Sequence, residues 1–463
     1  MFRDIPIRER QLLFFVLVVG CVFRLWLAGW TGAVGGDGEA YDILAHHLLE
    51  KGCFSLSSDC SPTMIRTPGY PAFVALIYSV AGRDASAVWL VQALVDTVTV
   101  AVIYATARIL ANPSVARLAL ILGAFCPFTS VYAGRLLAET PATLLSALST
   151  LGVALSLRRN RLGDTALIGG SLGLGCLLRP ETLIFAVIVG GWFVARKRAR
   201  TAALVAILAF LPSAAWATRN WLLMGRVGIA ETGGVVGVQP DGFFAWVRTW
   251  HDSLSERDSG VWPYWTHRWS TFRFPADAFE NDLEKQWVAS LIEMASRAKT
   301  DAERREIERG FARLAGERAA RRPVKTYLWL PIKRAINLWL NSRTEAFPLP
   351  AIAGLRALSA DSVAKVTLAA TNIALVVTAA AGAATLTSAP AAFVLLAPIV
   401  FRTAFFSFWA GMEARYVLPA FPTLLILAAI GLMWGGQVAE RLGAKLAFQK
   451  SNAKTAATRE RSS

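Results

Sequence analysis

The chain has 463 residues and a formal net charge of +16, yet only 17% of its residues are charged and 55% are hydrophobic. Soluble domains carry about 25% charged residues, so this composition excludes an ordinary soluble protein and indicates that lipid surrounds most of the chain. The lysines and arginines cluster at the ends of apolar runs and not on a soluble basic face, which excludes nucleic acid as a partner.

The apolar runs have lengths that fit membrane-spanning helices, which need about 20 residues each. The first run follows a basic N-terminus, as in a signal peptide, but it is long enough to span the membrane and we interpret it as a retained helix. Two shorter pieces, 69–82 and 326–340, are predicted to be interfacial helices. The predicted fold is therefore an all-α polytopic membrane protein, a bundle of about 10–12 transmembrane helices. The predicted spans are 11–30, 85–108, 114–133, 138–157, 165–179, 182–195, 201–222, 365–387, 390–410 and 416–436.

The distribution of lysine and arginine predicts the orientation. The loops at 158–161 and 196–200 and the C-terminal tail are strongly basic, and cytoplasmic loops carry such an excess. Both termini are therefore predicted to be cytoplasmic, in a multi-pass protein of the cell inner (plasma) membrane. The opposite, periplasmic face receives the first loop, residues 31–84, and a long region at 223–364.

This topology divides the chain into four parts. They are an N-terminal transmembrane module (1–222) with the first periplasmic loop, a mostly helical periplasmic region (223–364), the C-terminal transmembrane helices (365–436) and a basic cytoplasmic tail (437–463). In the periplasmic region, apolar residues at helical spacing predict two amphipathic helices over about 277–322, with Thr300 as the cap of the second. The tryptophans from Trp246 to Trp269 either stack on sugar rings or form an interfacial belt.

The first periplasmic loop carries the most chemistry. Asp37 lies among glycines that free the backbone to turn and bring a carboxylate close to a substrate. Glu39 and Tyr41 follow, at the start of a helix predicted over about 41–49, and Arg66 opens a rigid turn over 66–71. An acid can deprotonate a hydroxyl nucleophile while an arginine neutralises a phosphate leaving group, so Asp37 and Arg66 are candidate site residues, with Glu39 as a second acid. The alternatives are a helix cap for Asp37 and a headgroup anchor for Arg66.

Further charged residues are predicted on the same face. Arg135 and Glu139 lie four residues apart and would share one helical face, as a lipid-phosphate site requires. Dipole stabilisation of Glu139, or a plain salt bridge, is the alternative. Arg219 ends the seventh span and Arg415 starts the tenth; snorkelling to the interface is the alternative for both, and a phosphate partner is the functional reading of Arg415. We interpret the Arg–Pro–Glu sequence at 179–181 as a charged turn.

Two cysteines and a set of acids raise structural questions. Cys53 and Cys60 flank a short segment of the first loop, so they either form a local disulfide in the periplasm or stay free. Asp37, Glu39 and Glu139 offer the oxygen ligands that a divalent ion prefers. The four histidines have no zinc spacing, so the sequence predicts no definite cofactor, and a divalent metal ion stays an open alternative.

The ordered series of these residues resembles the GT-C superfamily of integral membrane glycosyltransferases. The resemblance is to its dolichyl-phosphate-mannose-protein mannosyltransferase-like branch, which includes the bacterial aminoarabinose transferases. The matching elements are Asp37 with Tyr41, the 66–71 turn with Arg66 and Tyr70, Arg135 with Glu139, Arg219–Asn220 with Gly225, and Arg415–Tyr416 with Pro419.

This resemblance implies a polyprenyl-phosphate-linked sugar as donor and a glycan, lipid or protein as acceptor, with transfer on the outer face of the membrane. It implies that Asp37 acts as the general base or orients the acceptor, and that Arg66, Arg135 and Arg415 contact the donor phosphate. The chain departs from the family at Gly38, which separates Asp37 from Glu39 where many relatives carry two adjacent acids.

The predicted function is therefore that of a membrane glycosyltransferase, and two other classes stay open. A transporter or flippase of lipid-linked sugars predicts charges inside spans, inverted repeats and broken helices at mid-membrane, whereas the polar residues here collect at one face. A lipid-linked polysaccharide ligase or polymerase also has many spans, but its chemistry would be expected in the large loop.

Overall fold

The computed structural model describes residues 6–159, 161–231, 239–252, 264, 274–349, 359–408, 413–438 and 440. Within these ranges the chain is helical and contains no strand beyond an isolated parallel bridge between Ala33 and Arg135. The helices are α1 (Ile7–Thr31), α2 (Asp37–Lys51), α3 (Gly69–Ala81), α4 (Ala85–Leu110), α5 (Pro113–Ala124), α6 (Glu139–Arg158), α7 (Leu162–Leu178), α8 (Thr182–Ala195), α9 (Ala199–Met224), α10 (Asp241–Val247), α11 (Asp282–Arg297), α12 (Asp301–Arg321), α13 (Leu330–Leu340), α14 (Ala360–Ala384), α15 (Ala389–Ser407) and α16 (Ala414–Val438).

Seven of the described helices are long and apolar enough to cross a membrane: α1, α4, α6, α9, α14, α15 and α16. An eighth span results if α5 and the helical turns at Pro127–Gly134, which meet at a 44° bend, are counted together. The predicted spans at 165–179 and 182–195 correspond to α7 and α8, which have only 17 and 14 residues. Such helices rise about 25 and 21 Å, less than the hydrocarbon thickness of about 30 Å.

The all-α polytopic membrane fold is thus confirmed, with seven or eight full-length spans in the described part of the chain against the predicted 10–12. The end of the predicted span at 390–410 and nearly all of the predicted tail at 437–463 lie outside the described residues.

A buried ion pair joins α1 to α4 beside the end of α5. Arg24 is fully buried, and its Nε donates to Asp96 Oδ2 at 2.7 Å. Its terminal nitrogens donate to the carbonyls of Gly20, Gly123 and Ala124. Gly123 and Ala124 lie at the end of α5, and Pro127 has no N–H with which to continue the helix. Arg24 therefore supplies the hydrogen bonds that the last carbonyl groups of α5 do not receive from the chain after the bend.

Replacing Arg24 by Met is expected to destabilise the protein by about 3–5 kcal/mol, because Asp96 would remain charged and buried without a cation. Denaturant unfolding of the purified protein in detergent measures this loss. The double variant Arg24→Met/Asp96→Leu should recover part of it, since no unpaired buried charge remains. Equal stability of the single variant and the wild type would refute the assigned role of the pair.

The first loop forms two helices that pack on each other, α2 and α3, and α3 packs in turn on α4. The helix predicted over about 41–49 is longer than expected: it begins at Asp37 and ends at Lys51. Cys53 and Cys60 are joined by a disulfide. Arg219 of α9 donates to the carbonyl of Thr63 at 3.1 Å, and its guanidinium lies over the Trp216 ring. These contacts hold the segment between the helices against α9.

The described part of 223–364 contains a small helical core. The predicted amphipathic pair is confirmed as α11 and α12, and the Thr300 hydroxyl accepts from the backbone N–H of Glu303 at 3.2 Å. Trp246 and Trp250 are 0% and 3% exposed, so the sugar-stacking and belt roles predicted for them are both wrong. The indole N–H of Trp246 donates to Glu284 inside this core, as expected of a buried tryptophan. Trp262, Trp265 and Trp269 lie outside the described residues.

The interfacial helix predicted at 326–340 corresponds to a helical turn at Lys325–Trp329 that runs into α13. One set of large apolar side chains on this segment is exposed, which is typical of a helix lying in a membrane interface. The set comprises Tyr327, Leu328, Trp329, Ile332, Ile336 and Leu340.

Candidate active site

Asp37 occupies the first position of α2. Gly36 precedes it with φ +59°, a conformation that favours glycine, and a Cβ on Gly38 would lie 3.2 Å from the carbonyl oxygen of Leu136. Both carboxylate oxygens of Asp37 accept hydrogen bonds, Oδ1 from Arg66 Nη2 at 2.6 Å and Oδ2 from Arg415 Nη2 at 2.7 Å. The cap position is taken by Gly36, so Asp37 meets arginines from two distant parts of the chain instead of capping its helix.

Arg415 connects Asp37 to a second carboxylate. It lies at the start of α16, forms an ion pair with Glu413 and places its Nε 3.4 Å from Oε1 of Glu139. Glu139 is the first residue of α6 and is only 2% exposed. Its Oε1 also accepts from Arg179 Nη2 at 2.6 Å. The helix N-terminus and two arginines therefore stabilise a buried negative charge at this point.

The series of charges continues to α15. Arg179 lies 3.8 Å from Glu181, and Glu181 lies 3.3 Å from Arg402 Nη1. We call this alternating series the charge ladder: Arg66, Asp37, Arg415, Glu139, Arg179, Glu181 and Arg402, with Glu413 beside Arg415. It has equal numbers of arginines and carboxylates. Burial would lower the pKa of Arg179, but Glu139 and Glu181 outweigh that effect and raise it, so the arginine stays charged.

Several arginine donors in this region are buried without a hydrogen-bond partner among the described residues. They are the Nε–H groups of Arg66, Arg135 and Arg179. A buried donor without a partner costs about 1–3 kcal/mol. Arg66 and Arg179 belong to the charge ladder, so the ladder can bind an additional anion without giving up all of its internal pairs.

The other predicted site residues have mixed positions. Tyr41 lies beneath Arg66, whose guanidinium carbon is 5.8 Å from the ring centroid. Burial raises the pKa of Tyr41, so its phenol stays protonated at neutral pH. Tyr416 donates to Glu413 at 3.2 Å and lies beside Arg179 and Arg415. Tyr41 and Tyr416 are therefore brought to the charge ladder.

Four predicted residues lie elsewhere or make other contacts. Arg135 does not share a helical face with Glu139, since its backbone is extended, α6 begins only at Glu139, and Arg135 donates to the carbonyl of Ala346 at 2.6 Å. That expectation was wrong. Glu39 is exposed, and Arg66 and Arg415 form ion pairs with Asp37 and not with Glu39. The Tyr70 hydroxyl donates to Gln92 in the core, and Arg219 binds the first loop.

The sequence reading missed Arg179, Glu181 and Arg402 as members of the site. The turn at 179–181 was interpreted as a plain charged turn, although it carries two charges between two apolar runs. Arg402 is the one charged residue in the apolar run at 390–410. A charged residue inside an apolar span is a candidate functional residue by default, so this position could have been identified from the sequence.

A metal site has no support in this geometry. Among the described residues no group of three or more His, Cys, Asp or Glu side chains is close enough to hold an ion. Asp37 and Glu139, the carboxylates proposed as ligands, each bind two arginines.

A narrow cleft leads away from the charge ladder at Arg402. It lies between α6, α7, α8 and α15. A second space continues it along the same face of α6 and shares Ser149, Phe185 and Pro398. The α6 lining runs from Ala142 to Val153, which is about 16 Å of helix pointing away from Glu139. Aliphatic and aromatic side chains form most of the walls.

Comparison with known proteins places this geometry in context. Residues 65–216, about a third of the chain, match the family described as dolichyl-phosphate-mannose-protein mannosyltransferase. The fold is also similar to that of two solved structures of low identity. ArnT from Cupriavidus metallidurans, bound to undecaprenyl phosphate, is 13% identical with a TM-score of 0.40, over 90% of this chain and 77% of that one.

The oligosaccharyltransferase AglB from Archaeoglobus fulgidus, in complex with an inhibitory peptide and a dolichol-phosphate, is 12% identical with a TM-score of 0.48. That match covers 96% of this chain but only 52% of AglB, so the chain spans about half the length of that protein. A comparison with curated protein sequences finds no match. Over residues 65–216, the chain is therefore similar to a family of membrane mannosyltransferases that use a dolichyl-phosphate-linked sugar.

Proposed function

We propose that this protein transfers a sugar from a polyprenyl-phosphate-linked donor to an acceptor hydroxyl on the periplasmic face, with Asp37 as the general base. The observation that carries the proposal is the charge ladder, in which Asp37 lies between Arg66 and Arg415, and in which the buried Nε–H groups of Arg66 and Arg179 have no hydrogen-bond partner among the described residues. Arginine N–H groups in this arrangement suit a phosphate, which they bind through paired, charge-assisted hydrogen bonds.

The reaction needs one proton transfer and one displacement. Asp37 takes the proton of the acceptor hydroxyl while the acceptor oxygen attacks the anomeric carbon. The bond between that carbon and the phosphate oxygen breaks, and its electron pair leaves with the phosphate, which Arg66, Arg179 and Arg415 neutralise. A single displacement of this kind inverts the anomeric centre. A phosphate at the arginines also competes with Asp37 for their N–H groups, and a carboxylate that loses such bonds becomes a stronger base.

We place the lipid part of the donor along the cleft beside α6. The cleft starts at Arg402, within the charge ladder, and its apolar walls run into the depth of the helix bundle. A donor with its phosphate at the arginines would therefore place its hydrocarbon chain between α6, α8 and α15. The 223–364 region is our candidate for acceptor binding, because the family resemblance implies that role for the long region outside the membrane.

Filling the cleft should weaken binding of long-chain lipids selectively. Ser149→Phe is expected to reduce the affinity for undecaprenyl phosphate by about 10–100-fold, because overpacking a site costs about 1–3 kcal/mol. Geranyl phosphate, whose chain is much shorter, should lose little affinity. Leu174→Phe is the matched control, since Leu174 is exposed on α7. Equal losses for both lipids would remove the cleft from the proposal. Native mass spectrometry measures both affinities.

The phosphate part of the proposal is tested by a pair of ligands that differ in that group alone. The purified wild-type protein should bind undecaprenyl phosphate at least about 10-fold more tightly than undecaprenol, since a charge-assisted hydrogen bond contributes about 1.5–3 kcal/mol. Arg66→Gln and Arg179→Gln should reduce this preference. Equal affinity of the wild type for the two lipids would contradict the proposed site.

A further inference from the structure

Arg415 is held in place by its neighbours along the backbone as well as by its own side chain. The carbonyl groups directly before and after it, those of Ala414 and Tyr416, each accept a hydrogen bond from another arginine. Arg343 Nη1 donates to the Ala414 oxygen at 2.9 Å, and Arg402 Nη1 donates to the Tyr416 oxygen at 2.9 Å. Two arginines from different parts of the chain therefore hold the backbone on both sides of Arg415.

Both of these arginines are buried, with residue exposures of 4% for Arg343 and 5% for Arg402. Arg343 also donates to Asn372 Oδ1 at 3.0 Å and to the carbonyl of Leu338 at 2.7 Å. Its φ is +54°, a conformation that non-glycine residues rarely adopt, so the surroundings fix it against a backbone preference. A buried cation is costly even when it is paired. Two such cations on the carbonyls that flank Arg415 are more than a simple chain turn requires.

We propose that Arg343 and Arg402 are positioning residues, which hold the Arg415 guanidinium against Asp37 and Glu139 so that it can bind the donor phosphate. The proposal rests on the proposed function and adds to it the backbone supports of one phosphate ligand. Arg402 acts from α15 and also pairs with Glu181, whereas Arg343 acts from the segment that follows α13.

The test measures undecaprenyl phosphate affinity in two backgrounds, wild type and Arg415→Gln. In the wild type, Arg343→Met and Arg402→Met should each weaken binding by about 10–100-fold, the value of one or two hydrogen bonds from a charged group. In the Arg415→Gln background Arg343→Met should weaken binding by less than about 3-fold, because a residue that acts through Arg415 has no guanidinium left to position. Arg402→Met should keep only the part of its effect that comes from the cleft entrance, which Arg402 also lines.

Arg334→Met is the matched control. Arg334 is 1% exposed and likewise donates to backbone carbonyls, those of His251, Ser407 and Arg248, but not to the residues around Arg415. Its loss should lower thermal stability as much as the other two changes, while any effect on affinity is small and equal in both backgrounds. The variants Arg343→Lys and Arg402→Lys keep the buried charge if the methionine variants do not fold. They should weaken binding by about 3–10-fold, again only when Arg415 is present, because lysine lacks the planar fork.

The results separate this inference from the proposed function. Additive losses in the two backgrounds, or an Arg334→Met effect as large as the others, would overturn the positioning role while leaving the phosphate site intact. A wild-type protein without preference for undecaprenyl phosphate over undecaprenol would overturn both.

Discussion

Replacing Asp37 by Asn is expected to lower kcat for sugar transfer by about 10²–10⁴-fold, the usual contribution of a general base. The amide keeps the size of the side chain and can still accept a hydrogen bond through its oxygen, but it cannot take a proton from the acceptor hydroxyl. The protein should remain folded in the membrane and should still bind undecaprenyl phosphate. Activity is measured as sugar transferred from membrane lipids to acceptor, and folding as a monodisperse peak in detergent.

Two matched controls lie on the same helix. Glu39→Gln changes an exposed acid two residues away and should leave kcat within about 3-fold of wild type, since solvent-exposed charges contribute little. Asp42→Asn removes an acid that accepts from Arg83 and Tyr78, away from the charge ladder, and should cost stability more than activity. Near-normal transfer by Asp37→Asn would rule out Asp37 as the base, and a loss in Glu39→Gln would point to the wrong acid.

The second large effect is expected from Arg415→Met. This change removes the cation shared by Asp37, Glu139 and Glu413, and it leaves Glu139 with Arg179 as its remaining cation in the ladder. Removing one partner from a buried ionic network costs about 3–5 kcal/mol. We therefore expect a fall in unfolding free energy of that size in detergent, together with weaker undecaprenyl phosphate binding.

A compensating change tests the cause of this loss. Adding Glu139→Gln to Arg415→Met removes a buried negative charge and should restore part of the stability but none of the transfer activity. The stability of Arg415→Lys should fall between those of the wild type and Arg415→Met, because lysine keeps the positive charge but lacks the paired N–H donors of the guanidinium group. If Glu139→Gln lowered stability further in the Arg415→Met background, Glu139 would not depend on Arg415.

The parts of the site that the sequence predicted are those with a local signature. Asp37 among glycines and Arg66 before a proline turn are short patterns with a clear physical meaning, and the structure brings both to one cluster. Arg415 was found as a charge at the start of an apolar run. Hydropathy was sufficient for the spans because lipid imposes a minimum length on each helix, although it could not tell that α7 and α8 would be short.

The remaining residues depend on where distant segments meet. Arg135 and Glu139 have the spacing of a helical pair, but the bend after α5 and the bridge to Ala33 keep Arg135 out of α6. Glu139 then pairs with Arg179, forty residues away, and no local sequence pattern predicts that contact. Trp246 could not be recognised as a core residue because its partner Glu284 lies in another helix.

The most direct test of the account uses the purified protein in proteoliposomes that contain a total lipid extract of bacterial envelopes, with lipids and acceptors analysed by mass spectrometry before and after incubation. The account predicts that the wild type releases free polyprenyl phosphate and forms a glycosylated acceptor in equal amounts, while Asp37→Asn forms neither. Movement of lipid-linked sugars across the bilayer without any covalent product would contradict it and would favour a transporter.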